Sequence, residues 1–430
     1  MSRFSCSRSA LTLLLGDCFL KKKQKWMLAT GLLINIAILG YFKYYNFFIA
    51  TVNPYFSILG PDVQMILPIG ISFFTLTQIA YIVDAYLGKA GKYSFLEYGL
   101  FASFFPYLIA GPILDHKKII PQFEQFKNFV ISHENISTGI AFFVFGLFKK
   151  MVIADNLVSW VSPVFNAPAQ ASFFEAWAGA LGYTFQLYFD FSGYCDMAIG
   201  IALILGITFP VNFNSPYKSA SIIEFWRRWH ITLSTFIRDY IYIPLGGNRK
   251  GEFRKIGNLL AAMLIAGIWH GAGWTFIIWG GLHGVYLSIN HVWCKAGITI
   301  PRVIGWTITF VAVVVGWVIF RAKDISDACT LLLTMSGFRQ VTVPITWQAY
   351  LSWLPLSSIQ YSTMPLIPGE TFEIAVLVAL VIFVVALPNT QDVIRKYFRK
   401  DRIWFFILVI VFIICLGEMS KQQIFLYAQF

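Results

Sequence analysis

The sequence predicts an all-α, polytopic integral membrane protein with about ten to eleven membrane segments, plus an in-plane amphipathic helix. Three observations carry the membrane class. Hydrophobic residues make up 57% of the 430 and charged residues only 13%, and the mean hydropathy is +0.67, which leaves too little polar side-chain area to cover a soluble globule. Apolar runs close to the ~20 residues a helix needs to cross a ~30 Å hydrocarbon layer recur along the whole chain. Their connections are short, with no Pro/Ser-rich linker or low-complexity tract, so residues 26–430 read as one membrane domain behind an N-terminal stretch, 1–25.

In chain order the qualifying segments are 26–48, 63–87, 95–113, 136–157, 173–191, 192–209, 256–276, 277–293, 303–320, 372–387 and 403–417. The first twenty residues are weakly apolar, end before KKKQK and lack a small-residue cleavage motif, so no secretory signal is predicted.

The net charge of +12 does not indicate nucleic acid, because the basic residues cluster in short loops. Residues 211–255 hold eight of them (Lys218, Arg227, Arg228, Arg238, Arg249, Lys250, Arg254, Lys255) against three acids, residues 395–402 hold a second cluster, and 340–394 hold none. The positive-inside rule puts the first two regions in the cytoplasm and the loop 347–368 outside. The six cysteines are scattered without CxxC spacing and read as small packing residues.

Three constellations interrupt the apolar background. The run EFWRRWHITLSTFIRDY, 224–240, wound at 100° per residue, gathers Ile222, Phe225, Trp226, Trp229, Leu233, Phe236, Ile237 and Tyr240 on one arc. Glu224, Arg227, Arg228, Ser234, Thr235, Arg238 and Asp239 fall opposite. This predicts an in-plane helix with His230 at the edge of its apolar arc. Either an interfacial anchor or a face for an anionic substrate produces that pattern.

The run GIWHGAGWTFIIWGGLHG, 267–284, puts two histidines, three tryptophans and six glycines into a span. An ionisable residue there is a functional candidate by default, since its burial is costly. His270 is the stronger candidate; on one continuous helix His283 lies on another face and reads as structural. The run QLYFDFSGYCD, 186–196, places Asp190 and Asp196 near a span end, to line a polar cavity or hold a turn between two helices. His116, His133 and His291 read as solvated or interfacial. No His/Asp/Glu cluster shows ligand spacing, so no metal and no bound cofactor are expected.

These runs, together with NFNSPY, LPIGISFFTLTQIAYIVD, FFPYLIAGPI, GWVIFRAKD and the IPLGGNRKG after the amphipathic stretch, resemble the membrane-bound O-acyltransferase superfamily over roughly residues 26–430. More narrowly they resemble its bacterial branch of alginate and peptidoglycan O-acetylation proteins. The resemblance implies a bacterial cytoplasmic membrane protein whose spans ring a thinned centre, with funnels from both faces. It implies an acyl thioester donor made in the cytoplasm, with acetyl-CoA the expected one. It also implies transfer toward an exported polymer, through an exported SGNH-type acetyltransferase or esterase-like partner. The two signature histidines match His230 and His270. Arg227, Arg228, Arg238, Trp226, Trp269, Asp190 and Asp196 are the expected substrate-side and donor-side residues. Relatives usually begin with additional hydrophobic segments. Two rivals stay open: D-alanyl transfer to teichoic acid from a carrier-protein thioester, and a transporter with intramembrane histidines, against which the lack of paired halves argues.

Overall fold

The structure is a computed structural model that describes residues 9–10, 12–16, 18–19, 23–56, 67–68, 70–109, 111–125, 130–339, 341–351, 360–367, 369, 371–419 and 426. Much of the N-terminal stretch 1–25, the start of the segment 63–87, and residues 352–359 and 368 of the expected external loop lie outside the described residues.

The principal helices are α1 (Lys25–Phe56), α2 (Ile71–Leu87), α3 (Phe95–Ser103), α4 (His116–Phe123), α5 (His133–Asn166) and α6 (Phe173–Ile204). There follow α7 (Ile222–Arg228), α8 (Ile231–Ile237), α9 (Glu252–His270), α10 (Trp274–Lys295), α11 (Arg302–Arg321), α12 (Ile325–Met335), α13 (Thr371–Ala386), α14 (Thr390–Lys396) and α15 (Arg402–Gly417). The strands β1 (Thr342–Pro344) and β2 (Gln360–Ser362) pair in parallel, Thr342 opposite Gln360. The all-α class therefore holds.

By length and apolarity, α1, α5, α6 and α11 are each sufficient to cross a membrane among the described residues, and α13 with α14 makes a fifth candidate bent by 51°. Pro388 sits in that elbow, where its missing N–H and fixed φ end a helix.

Helix α6 is the axis of the fold. A reciprocal capping box starts it: Ser172 Oγ accepts from Glu175 N at 3.4 Å and Glu175 Oε2 accepts from Ser172 N at 2.9 Å. It then runs unbroken for 32 residues, about 48 Å at ~1.5 Å per residue. Helices α5, α11, α12 and α13 all pack on it.

The expected boundary between 191 and 192 is thus absent. Gly193 makes no turn; it lets α5 approach, for a Cβ there would lie 2.6 Å from the Gly146 carbonyl oxygen. The segment 95–113 also differs from expectation, forming a nine-residue helix and a tight turn, Phe105–Tyr107, because Pro106 and Pro112 interrupt it. In the opposite sense, the boundary expected at 276/277 falls at Gly271–Gly273, between α9 and α10.

Candidate functional site

The stretch 224–240 forms two short helices, α7 and α8, instead of one. The break is His230, whose backbone is left-handed at φ 43° and ψ 54°, a conformation that disfavours a non-glycine residue. Tertiary contacts impose it. Asn212 Oδ1 accepts from Thr232 N at 3.1 Å and Thr232 Oγ1 at 2.9 Å, and lies 3.2 Å from His230 Nδ1. Ile231 N donates to the Asn212 carbonyl at 2.9 Å, and Asn214 N to that of Arg228 at 2.9 Å, so the loop NFNSPY is laced across the break.

The amphipathic division survives the break. Phe225, Trp229, Leu233, Phe236 and Ile237 are buried, whereas Arg227, Thr235, Arg238 and Asp239 are exposed.

Asn212 Oδ1 has only lone pairs to offer, so His230 Nδ1 carries the proton in this contact and Nε2 is the basic nitrogen. The ring is 1% exposed, lies 4.8 Å from Phe191 and stacks at 6.3 Å on Phe73. Burial pushes its imidazole down to about 3, which keeps it neutral near pH 7.

His270 is the last residue of α9, where the closing carbonyls have no partner within the helix. Helix α1 supplies one. Lys43 Nζ donates at 2.8 Å to the carbonyls of both Trp269 and His270, and Tyr44 donates its hydroxyl to the Ile268 carbonyl. Trp269 Nε1 donates to the Ser72 carbonyl at 3.4 Å.

The Trp269 ring joins the two histidines: its centroid is 5.0 Å from the His270 ring and 6.4 Å from that of His230. His270 lies also 5.1 Å from Trp279 and 5.3 Å from Phe320, both edge-to-face.

A cavity of 490 Å³ opens among α7, α8, α9 and α10, lined by Ile231, next to His230, and by Ala266, one turn before His270. Trp226, Arg227 and Arg238 line one wall, Lys255, Ala262 and Ala266 of α9 another, and His291 of α10 stands near Lys255. Lys255 Nζ contacts His291 Nε2. Lys255, Ala262, Ala266 and His270 share one stripe of α9; the first three line the cavity and His270 stands one turn beyond Ala266.

The other expected residues fall elsewhere. Arg228 Nη2 bridges Glu224 at 2.8 Å and its Nη1 donates to the Asn214 carbonyl at 3.3 Å, a bracing role within the loop. Asp190 lies 2.8 Å from Lys150 Nζ, which also bridges Asp155 at 2.5 Å, and Asp196 lies 2.6 Å from Lys149 Nζ. These pairs join α6 to a π-helical turn of α5, Lys149–Ala154, and neither aspartate lines the cavity beside the histidines.

His283 is fully buried. Its Nδ1 accepts from Trp226 Nε1 at 3.3 Å, which leaves the proton on Nε2, against Gly316 of α11. His116, expected at a surface, is 1% exposed and joins Asp84 at 3.1 Å and the Tyr93 hydroxyl at 3.0 Å. Asp84, Asp115 and His116 are close enough among the described residues to suit a cation, but Lys117 Nζ at 2.6 Å and the Tyr240 hydroxyl at 2.8 Å already occupy Asp84 Oδ2.

Sequence reasoning met Asn212 only within NFNSPY, counted Lys255 only among basic loop residues, set His291 aside as solvated or interfacial, and did not single out Lys43. Lys43 carried a signal of its own, a lysine inside an apolar run.

Residues 39–325 match the family described as MBOAT, membrane-bound O-acyltransferase. The chain is 41% identical over 444 residues to the peptidoglycan O-acetyltransferase of Helicobacter pylori, covering 95% of this chain and 83% of that one. It is 43% identical over 353 residues to the probable alginate O-acetylase AlgI of Pseudomonas aeruginosa, covering 80% of this chain and 65% of the relative. The teichoic acid D-alanyltransferase of Streptococcus thermophilus is 30% identical over 247 residues, 54% of this chain and 59% of that one. The match spans α2 to α11, the helices that hold both histidines and the cavity, and the chain belongs to the membrane-bound O-acyltransferase family.

Proposed function

We propose that this acyltransferase is an O-acetyltransferase of the bacterial cytoplasmic membrane. One membrane domain, 26–430, takes an acetyl group from a cytoplasmic thioester, acetyl-CoA, and passes it toward an exported cell-envelope or exopolysaccharide polymer by way of an extracytoplasmic SGNH-type protein. The observation that carries the reading is the cavity along α9, lined by Arg227, Arg238 and Lys255 and also by Ala266, one turn before His270. The cations suit the phosphates of a CoA donor, and the small side chains leave room for its pantetheine arm.

In the reaction, neutral His270 takes the acceptor hydroxyl proton while the oxygen attacks the thioester carbonyl. The new C–O bond forms, the C–S bond breaks, and the imidazolium returns the proton to the leaving thiolate. His230, its Nδ1 proton held by Asn212, turns a neutral Nε2 inward to orient the reacting groups.

The names of the relatives from Helicobacter pylori and Pseudomonas aeruginosa support acetyl over D-alanyl transfer, since the D-alanyltransferase match is weaker in both identity and coverage. The test is transfer of labelled acetyl from acetyl-CoA in proteoliposomes supplied with the candidate partner and polymer. His270→Ala should insert normally and lose about 10²- to 10⁴-fold in rate; near-full activity in that variant removes His270 from the mechanism. Solute movement without any acyl transfer by the unaltered protein would make it a transporter.

A further inference from the structure

We propose that Trp279 and Phe320 form the end wall of the acyl site and restrict the transferred group to two carbons. This rests on the reading above, in which the thioester reaches His270.

The donor cavity is lined by Ala262 and Ala266 of α9, and His270 stands one turn beyond Ala266 on the same stripe. Around His270 the available space is taken by rings. Trp279 meets the imidazole at 89° and Phe320 meets it at 79°, and the two are only 0% and 2% exposed. Their own centroids are 5.1 Å apart, so no gap the width of an alkyl chain separates them.

The wall is braced from behind. Trp279 stacks on Trp317 at 5.8 Å and 18°, and Phe320 meets Phe276 edge-on at 4.9 Å. Nor can its backbone retreat along α9, because α9 and α10 touch where Gly280 faces the Met263 carbonyl oxygen; a Cβ on Gly280 would lie 2.5 Å from it. A close-packed aromatic surface of this kind resists the insertion of extra methylenes.

A second observation points to a ligand at the same wall. Trp279 Nε1 is buried and has no hydrogen-bond partner among the described residues. Buried donors are normally satisfied, and the carbonyl oxygen of a bound acyl group would satisfy this one.

The experiment uses the full-length protein in proteoliposomes with acetyl-CoA and butyryl-CoA as competing donors, and reads the ratio of their kcat/KM values. A ratio within one preparation is independent of the fraction of active protein. The unaltered protein should favour acetyl by about 10- to 200-fold, the discrimination a tight apolar pocket achieves for added methylenes. Trp279→Ala and Phe320→Ala should shift the ratio toward butyryl by about tenfold or more. Trp279→Leu and Phe320→Leu, which keep an apolar side chain, read the same shift if the alanine variants do not insert.

A ratio unchanged in active, inserted variants overturns the proposal, as does equal use of both donors by the unaltered protein. Failure of the unaltered protein to transfer either group from CoA sinks the underlying reading instead.

Discussion

Asn212 and His230 are joined side chain to side chain at 3.2 Å, and the same Asn212 oxygen accepts two further hydrogen bonds from Thr232. The contact fixes both the tautomer of the imidazole and the left-handed backbone that carries it. Asn212→Ala should therefore cost stability, about 1–3 kcal/mol for each buried donor left without an acceptor, and should slow acetyl transfer. If Asn212 acts through His230, the Asn212→Ala/His230→Ala double variant will be no slower than His230→Ala alone. Independent, additive losses in that cycle would assign Asn212 a separate task.

Lys43 ties α1 to the end of α9 by donating to the carbonyls of Trp269 and His270, each at 2.8 Å. Lys43→Met keeps the apolar stem and removes the donors. The unfolding midpoint in detergent should fall, consistent with about 0.5–1.5 kcal/mol for each hydrogen bond removed, and kcat should fall with KM for acetyl-CoA nearly unchanged. A rise in KM with kcat intact would instead place Lys43 on the donor.

What was legible in the sequence was what a single helix or a single residue can express. His230 and His270 stand out because ionisable groups are conspicuous in an apolar chain. The burial of Phe225, Leu233 and Phe236 against the exposure of Arg227, Thr235 and Arg238 follows from the 3.6-residue period.

What was not legible is tertiary. No Gly, Pro or Asn marks the break at His230; its partner Asn212 stands 18 positions earlier. The aspartates of α6 look like turn residues until Lys149 meets Asp196 from 47 positions away, and the cap on His270 comes from 227 positions away. Local propensity carries no trace of such pairings.

The cavity separates the three arginines of the amphipathic stretch. Arg227 and Arg238 line it with Lys255, while Arg228 is spent on Glu224 and the Asn214 carbonyl. Arg227→Ala and Lys255→Ala should each raise KM for acetyl-CoA by about tenfold, the worth of one charge-assisted contact, and the effect should shrink at high ionic strength. Arg228→Ala should leave KM unchanged within experimental scatter, at a stability cost of about 0.2–1 kcal/mol typical of an exposed ion pair. Equal effects at all three positions would mean a diffuse electrostatic attraction with no defined donor contact.

Orientation gives an independent check, because Lys255, in the first turn of α9, lines the cavity. On a background free of native cysteines, an impermeant thiol reagent applied to intact cells should label a cysteine placed at Tyr350 and leave ones at Arg249 and Arg399 unlabelled until the membrane is opened. Labelling of Arg249→Cys from outside would turn the start of α9, with Lys255, away from the cytoplasm and exclude a cytoplasmic donor by this route.

Asp190 was expected on the substrate side, and its geometry predicts a different phenotype. Lys150 Nζ bridges Asp190 at 2.8 Å and Asp155 at 2.5 Å, with side-chain exposures of 10%, 1% and 5%. Removing the lysine strands two buried carboxylates that have little water to turn to. Lys150→Met should therefore destabilise strongly, by about 3–5 kcal/mol as for other broken buried pairs. Asp190→Asn keeps the shape and removes one charge, leaving Lys150 still paired with Asp155, so the loss should be smaller and the protein that folds should keep its kcat. Thermal unfolding measured beside acetyl transfer distinguishes the two roles. A structural bridge lowers the unfolding midpoint and spares turnover per folded molecule, whereas a substrate contact does the reverse. An Asp190→Asn protein with an unaltered midpoint and a kcat reduced by about 10²-fold or more, the scale of a lost catalytic group, would return Asp190 to the reaction.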